Sequence, residues 1–331
     1  MTHTVDEVRK FIQEHDKFYI AGHINPDGDS IGSCFGLGLA LIKLGKTVKV
    51  LMGSYHSKYN VIPGKELVCE EPPSSEEGYA LICVDCADIG RLEGHVHELA
   101  LNIFDRTLCV DHHYSNTSFA KYNYVDGTAS STCEMVYRIL DGFAELDIAI
   151  ASAIYSGMVS DTGGFRHAAT SEDTLKVSSK LTAIGIPFTT LYTELIHLRT
   201  YTELKILAKV LDACDRCYDA SVVHVCVPKS MRHDLEDTPP AATHDLEGIV
   251  EYLLNIRRAK VSLLLYELDG EQNQVKISLR SRTINVGAIA QHFGGGGHKL
   301  AAGATVTGNI YEIRDTALSV IKKAIDDFDG N

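Results

Sequence analysis

Residues 17–30 read KFYIAGHINPDGDS, an apolar run followed by one histidine and two aspartates set around a proline and a glycine. The run at 17–22 has the length and composition of a buried strand. A helix would spread Asp27 and Asp29 around its axis, so a shared target with His23 calls for a loop at this point. Pro26 fixes φ before the bend, and Gly28 is expected to allow backbone angles that a side chain forbids. A surface turn would use the same residue types. A metal site differs in needing further ligands from elsewhere in the chain.

The chain has 331 residues, 45% hydrophobic and 23% charged, enough for two domains with separate cores. The opening MTHTVDEVRKFIQEHDKF carries acids and no apolar segment, and no stretch reaches about 18 consecutive apolar residues. A cytoplasmic protein with no membrane partner is expected. The nine cysteines sit largely in apolar segments such as ALICVDC, as buried thiols would. CDRC at 214–217 has zinc-like spacing but no second pair beside it. The net charge of -13 argues against a protein that holds long DNA or RNA mainly by its phosphates. A short anionic substrate remains compatible with it, because local cations and metals can hold a few phosphates.

The first half alternates short apolar runs with helical patterns. After KFYIAG come a helix in SIGSCFGLGLALIKLG, a strand in TVKVLM, and near-continuous apolar strands in ALICVD and TLCVD, the pattern of a parallel sheet. SSTCEMVYRILDGF and DIAIASAIYSGMVS read as helices, and EEPPSSEEG at 70–78 as a loop. The expected class is α/β, with an N-terminal parallel-sheet domain over residues 1–190. A helical linker over 191–215 follows, then a smaller α/β domain over 216–331. In this second part SVVHVCVP, KVSLLLYEL and QVKISLR read as strands, and HDLEGIVEYLLNIRR and VGAIAQHF as helices.

Three strands of the first domain run into acids or histidines: His23, Asp27 and Asp29, then Asp85, then Asp111, His112 and His113. Ligands of open α/β sheets bind outside the carboxyl ends of the strands, so these distant residues can share one site. SDTGGFR adds Asp161 at a helix end. Singly, each group could cap a turn or a helix; four such clusters at element ends point to one centre. So many carboxylates with imidazoles exceed a tetrahedral zinc and suit a pair of Mn- or Mg-type ions about 3.5 to 4 Å apart. Such a pair acidifies a water and clamps phosphoryl oxygens, the chemistry of phosphoester hydrolysis.

HINPDGDS, VDCAD, VDHHYSN and SDTGGFR resemble the motifs of the DHH phosphoesterases, and ISLRSRTINVGAIAQHFGGGGHKLAAGA resembles the signature of their associated C-terminal domain. The resemblance implies that His23, Asp27 and Asp85 hold one manganese, and that Asp29, Asp85, His112 and Asp161 hold the other, with Mg2+ as the alternative ion. It sets His113 beside the scissile phosphate, with Asn116 on the substrate side; the adjacency of Asp111 to the histidines suggests that it orients one of them. Arg280, Ser281, Arg282, Gly295, Gly296, Gly297 and His298 would bind the rest of the substrate. Tyr114 and Asn285 stand where this family often has proline and aspartate; neither is a metal ligand.

The two-domain form resembles the branch of oligoribonucleases that also dephosphorylate 3′-phosphoadenosine 5′-phosphate (pAp). The expected partners are therefore short RNA or pAp, gripped between the two domains, and no long nucleic acid; a homodimer is compatible with the sequence. Linear or cyclic dinucleotides and polyphosphate are the alternative substrates, the last disfavoured by GGGGH, and a non-catalytic nucleotide-binding regulator is the alternative from another class.

Overall fold

The computed structural model describes residues 2–69, 78–235, 241–246, 248–270 and 273–329. The loop expected at 70–78 falls outside them except for Gly78. The chain forms two compact units, Met1–Leu198 and Arg199–Asn331.

The first unit contains α1 (Val5–Glu14), β1 (Lys17–Ala21), α2 (Gly28–Lys43), β2 (Thr47–Leu51), β3 (Ala80–Val84), α3 (Gly94–Asn102), β4 (Thr107–Asp111) and β5 (Tyr122–Val125), followed by α4 (Thr132–Leu140), α5 (Ile148–Asp161), α6 (Glu172–Ala183) and α7 (Phe188–Tyr192). Its sheet is parallel throughout, in the order β2-β1-β3-β4-β5. Every residue of β3 and β4 is buried, which is why both read as unbroken apolar runs. The order reverses between β1 and β3, and a doubly wound sheet opens its ligand crevice at that reversal. One core packs α2, α4 and α5 on one face of the sheet; another packs α3 on the other.

Close helix packing sets the site. A Cβ at Gly32 would lie 2.6 Å from the Ala153 carbonyl oxygen, and one at Gly28 would lie 2.1 Å from Ser160 Oγ. Only glycine lets α2 and α5 run this close, and the antiparallel contact brings the start of α2 to the end of α5. That corrects the expected role of Gly28, which is the first residue of α2 and is not among the glycines with positive φ. Asn25 takes the left-handed turn instead, at φ 54°.

The second unit contains α8 (Tyr201–Ala213), β6 (Asp215–Cys217), β7 (Val222–Val227), α9 (Lys229–His233), α10 (Ile249–Leu254), β8 (Val261–Glu267), β9 (Gln274–Ser281), α11 (Val286–His292), β10 (Gly296–Gly297), β11 (Ala301–Thr307) and α12 (Ile310–Asp329). Its mixed sheet has the order β10-β11-β9-β8-β7-β6, with β7 and β8 parallel. The expected 191–215 linker helix is not continuous. A π turn over Thr193–His197 closes the first unit, and α8 starts afresh on a capping box of Thr200 and Glu203. The helix expected over 244–258 is likewise split, because Gly248 takes φ 77° between a short turn over Thr243–Leu246 and α10. Helix α1 and strand β5, which the apolar patterns did not reveal, complete the first unit. Among the described residues no helix is long and apolar enough to cross a membrane, and all nine cysteines are free thiols.

Candidate active site

Asp27 is the N-cap of α2, and its Oδ1 accepts from the backbone N–H groups of Asp29 and Ser30 at 3.0 and 3.1 Å. The first turn of a helix, rather than a free loop, therefore sets the spacing of the two carboxylates. Asp29 points at the start of α4, where Thr132 N–H donates to Oδ2 at 2.7 Å and Cys133 N–H to Oδ1 at 2.9 Å. Hydrogen bonds to a charged group contribute about 1.5–3 kcal/mol each, and the α4 dipole adds to them. Thr132 also donates through Oγ1 to Asp85 Oδ1 at 3.2 Å, so one residue steadies two buried carboxylates. Motif reading missed Thr132. Its signal was Ser131-x-x-Glu134, a helix-start pattern in which Ser131 caps α4.

Asp85 follows β3 with φ 53°, a conformation that costs a non-glycine residue energy and persists where its surroundings hold it. Its N–H donates to the Val110 carbonyl oxygen at 3.0 Å. The two carboxylate oxygens face different imidazoles: Oδ2 lies 3.6 Å from His23 Nε2, and Oδ1 lies 3.7 Å from His112 Nε2. His23 Nε2 is also 3.9 Å from Asp27 Oδ2, while His112 Nε2 is 3.6 Å from Asp161 Oδ2 and 4.0 Å from Asp29 Oδ2. The other ring nitrogens are turned to backbone carbonyls: His23 Nδ1 lies 2.8 Å from the Ile24 oxygen and His112 Nδ1 lies 3.4 Å from the Ala129 oxygen. With Nδ1–H donating there, Nε2 is in each ring the nitrogen turned to the centre, where it would bind an ion on giving up any proton.

These donor atoms fit divalent ions. Neighbouring ligands of an octahedral ion with bonds of 2.0–2.1 Å lie about 3 Å apart and opposite ligands about 4.2 Å apart, a range that contains the separations here. The donors form three sets, His23 with Asp27 and Asp85, Asp29 with His112 and Asp161, and Asp85 with His112 and His113, each within 4.8 Å. Oxygen-rich sites of this kind suit hard ions. The electrostatics agree. Burial, then repulsion from Asp85 and Asp161, raises the Asp29 carboxyl well above the usual range. Burial, then Asp85 and Asp27, does the same to Asp161. For His23, burial lowers the pKa but the Asp27 and Asp85 carboxylates outweigh it and push it up to about 10. Carboxyls whose pKa is raised by burial and mutual repulsion mark a place for positive charge.

His113 stands beside this cluster, with Nδ1 at 2.7 Å from Asp111 Oδ1 and 3.6 Å from Asp85 Oδ1. Burial opposes its protonation, but Asp111, then Asp85, prevails and raises it to about 9. Asn116, expected on the substrate side, is spent on structure: its amide donates to Asp111 Oδ2 at 2.6 Å and to the Cys86 carbonyl oxygen at 3.2 Å, and its oxygen accepts from Ser118 N–H at 2.7 Å. Asp111 is thus held from both sides.

The second unit departs further from expectation. Ser281 is buried and faces away from Arg280 and Arg282, because β9 alternates inward and outward. Its Oγ donates to the Lys260 carbonyl oxygen at 2.9 Å and accepts from Thr283 and Ile284 N–H at 3.1 and 2.8 Å, so it shapes the turn and offers nothing to a substrate. Gly295 is corrected as well. Its N–H donates to the Ala290 carbonyl oxygen at 3.0 Å, closing α11, and a Cβ there would meet the Gly303 oxygen at 2.2 Å. Gly296, Gly297 and His298 are exposed. Arg280 Nε donates to Glu251 Oε1 at 2.6 Å and Nη1 to the Leu279 oxygen at 3.0 Å, while Nη2 has no hydrogen bond among the described residues. Arg282 is exposed and donates to the Leu254 oxygen at 2.8 Å. Asn285 caps α11, accepting from Ala288 N–H at 3.2 Å. Cys214 ends α8 and Cys217 ends β6, and among the described residues neither belongs to a set of three or more donors.

Comparison with known proteins follows the same division. The N-terminal domain of the DHH family matches residues 17–158 and the DHHA1 domain matches residues 239–326. The bifunctional oligoribonuclease and PAP phosphatase NrnA of Thermus thermophilus is 30% identical over 307 residues, 92% of this chain and 88% of that protein. A solved structure described as an exopolyphosphatase-related protein from Bacteroides fragilis superposes with a TM-score of 0.84 at 24% identity, covering 98% of this chain and 96% of the other. Exonuclease RecJ, solved bound to manganese, shares the fold with a TM-score of 0.55 at 15% identity, covering 98% and 95%. The chain belongs to the DHH family of phosphoesterases, in the form that carries a DHHA1 domain.

Proposed function

We propose that this chain is a cytoplasmic enzyme that hydrolyses oligoribonucleotides of about two to five residues to mononucleotides, and pAp to AMP, with two divalent ions, manganese preferred. The observation that carries the reading is Asp85, whose two oxygens face His23 and His112 separately and so can serve two ions at once. The similarity to an oligoribonuclease and PAP phosphatase over most of both chains supports the substrate class.

When bound, the ions would supply positive charge to the phosphoryl oxygens and an acidified water. His23, Asp27 and Asp85 would hold one, and Asp29, Asp85, His112 and Asp161 the other. The chain's own residues do the rest. Asp111 anchors His113 at Nδ1 and orients its ring, to which we assign proton transfer to the departing oxygen. Asn116 fixes Asp111, and Thr132 fixes Asp29 and Asp85, so the carboxylates need little reorganisation during the reaction. Arg280 and Arg282 of the second unit would grip a distal phosphate, with Gly296, Gly297 and His298 beside it.

The net charge of -13 offers no track for a long polyanion. Turnover should therefore favour dimers to pentamers over a strand of roughly 24 residues, the reverse of a groove binder. A chromatographic panel of pAp, dinucleotides, pentamers, long RNA, cyclic dinucleotides and polyphosphate with Mn2+ tests it. Preference for long RNA, or action only on cyclic dinucleotides or polyphosphate, would replace this reading.

A further inference from the structure

The N-terminal unit holds a second open volume outside the donor cluster. A cavity of about 650 Å3 lies past the end of β2, with Met52, Tyr55 and Val68 as apolar walls and Asn60, Lys65 and Glu93 as polar ones. A smaller cavity of about 100 Å3, lined by His23, Asn25 and Pro26, shares Met52, Gly53, Ser54 and Glu93 with it. The empty space thus runs from the loop that carries a candidate metal ligand to the outer edge of the sheet. Glu93 is seated between the two: a Cβ on Gly53 would lie 2.4 Å from its Oε1, so glycine lets the carboxylate rest on the backbone.

The lining states what would fit. Its volume lies in the range of small-ligand sites. Among the described residues of the lining, one cation, Lys65, is set against one anion, Glu93, with His95 3.7 Å from that anion, so these residues supply no positive excess of the kind a run of phosphates requires. Met52 and Tyr55 offer surfaces for a flat ring, and the Asn60 amide can both donate to and accept from a base edge. The Tyr55 hydroxyl is buried with no hydrogen-bond partner among the described residues, so its bonding capacity is unspent. Glu93 can accept from sugar hydroxyls.

We propose that this cavity is a nucleoside subsite, which takes the base and ribose joined to the phosphoryl group held at the metal ligands. The proposal rests on the nucleotide substrate inferred above. It assigns base recognition to Met52, Tyr55 and Asn60 of the first unit, in addition to the distal-phosphate grip assigned to the second.

The test uses the full chain with Mn2+ and 8-azido-AMP as a photolabel, followed by peptide mapping. Label should fall between residues 52 and 69. Ser54→Trp, which fills the cavity from an exposed position, and Asn60→Ala, a truncation of an exposed side chain, should each reduce that label at least fivefold. Each should also lower kcat/KM for a dinucleotide about tenfold relative to kcat/KM for p-nitrophenyl phosphate, mostly through KM. Label mapping elsewhere, or both variants labelling and turning over dinucleotide like wild type, would overturn the subsite. Should wild type hydrolyse neither dinucleotides nor pAp, the proposed function falls, and the mapped label alone decides whether the cavity binds a nucleotide.

Discussion

The motif residues of the N-terminal unit finish with donor atoms turned toward one another, whereas the motif between Arg280 and Gly303 in the C-terminal unit spends most of its polar atoms on its own turns. Asp29 and Asp85 are buried, and the groups that hold them leave them opposite imidazoles. Ser281 is equally buried but satisfied by Lys260, Thr283 and Ile284. Burial therefore accompanies a candidate metal centre in one unit and a satisfied turn in the other. Electrostatic frustration separates them: carboxylates crowded together, as Asp29 and Asp161 are, need a cation, and a satisfied hydroxyl needs nothing.

Substitutions in both units, together with pH and metal, would break or sharpen this contrast. Asp85→Ala removes the carboxylate that faces both imidazoles, and the loss of several kcal/mol of charge stabilisation should lower kcat/KM on a dinucleotide roughly a thousandfold. A variant within tenfold of wild type would move the centre away from Asp85. His113→Ala should lower kcat about a hundredfold with little change in KM, as loss of a proton donor does. An equal rise in KM would make His113 a binding group instead.

The next comparison crosses to the second unit. Arg280→Ala should raise KM for a dinucleotide about tenfold and leave kcat nearly unchanged, the result expected of the proposed grip on substrate and transition state alike. Ser281→Ala should instead lower stability by about 1–3 kcal/mol, the cost of unsatisfied buried N–H groups, with KM unmoved. Denaturant midpoints and steady-state kinetics separate the two; a Ser281→Ala enzyme with wild-type stability and raised KM would restore serine to the substrate side.

The smallest effect concerns pH and metal. The raised pKa values of Asp29, Asp161 and His23 mean that their contribution to stability is complete below the unfolded-state values and is lost as pH rises through the folded ones. The metal-free protein should therefore melt lower at pH 8 than at about pH 6, and Mn2+ should raise Tm by a few degrees, more at the higher pH, where it meets fewer bound protons. Zn2+ should restore activity after chelation less well than Mn2+. A Tm indifferent to both pH and Mn2+ would show that the carboxylates are not held under repulsion.

The sequence by itself determined the parallel sheet, because β3 and β4 are buried along their whole length and must read as apolar runs. It also pointed to the carboxylates and imidazoles that the fold brings together, since they recur where those strands end. What it did not reveal was how the donors are aimed. The order of the strands, the glycine contacts of α2 with α5 and the docking of Asp29 on α4 join residues about a hundred positions apart, and no local pattern encodes such a contact. Asp27 and Asp29 looked like a bend shaped by Gly28, yet helix capping and close packing place them. In the C-terminal block the glycines and Ser281 have the composition of an anion cradle, and only the tertiary structure shows which of their donors are already used. Composition records which groups a chain can offer; hydrogen bonds closed within the fold decide which of them remain for a ligand.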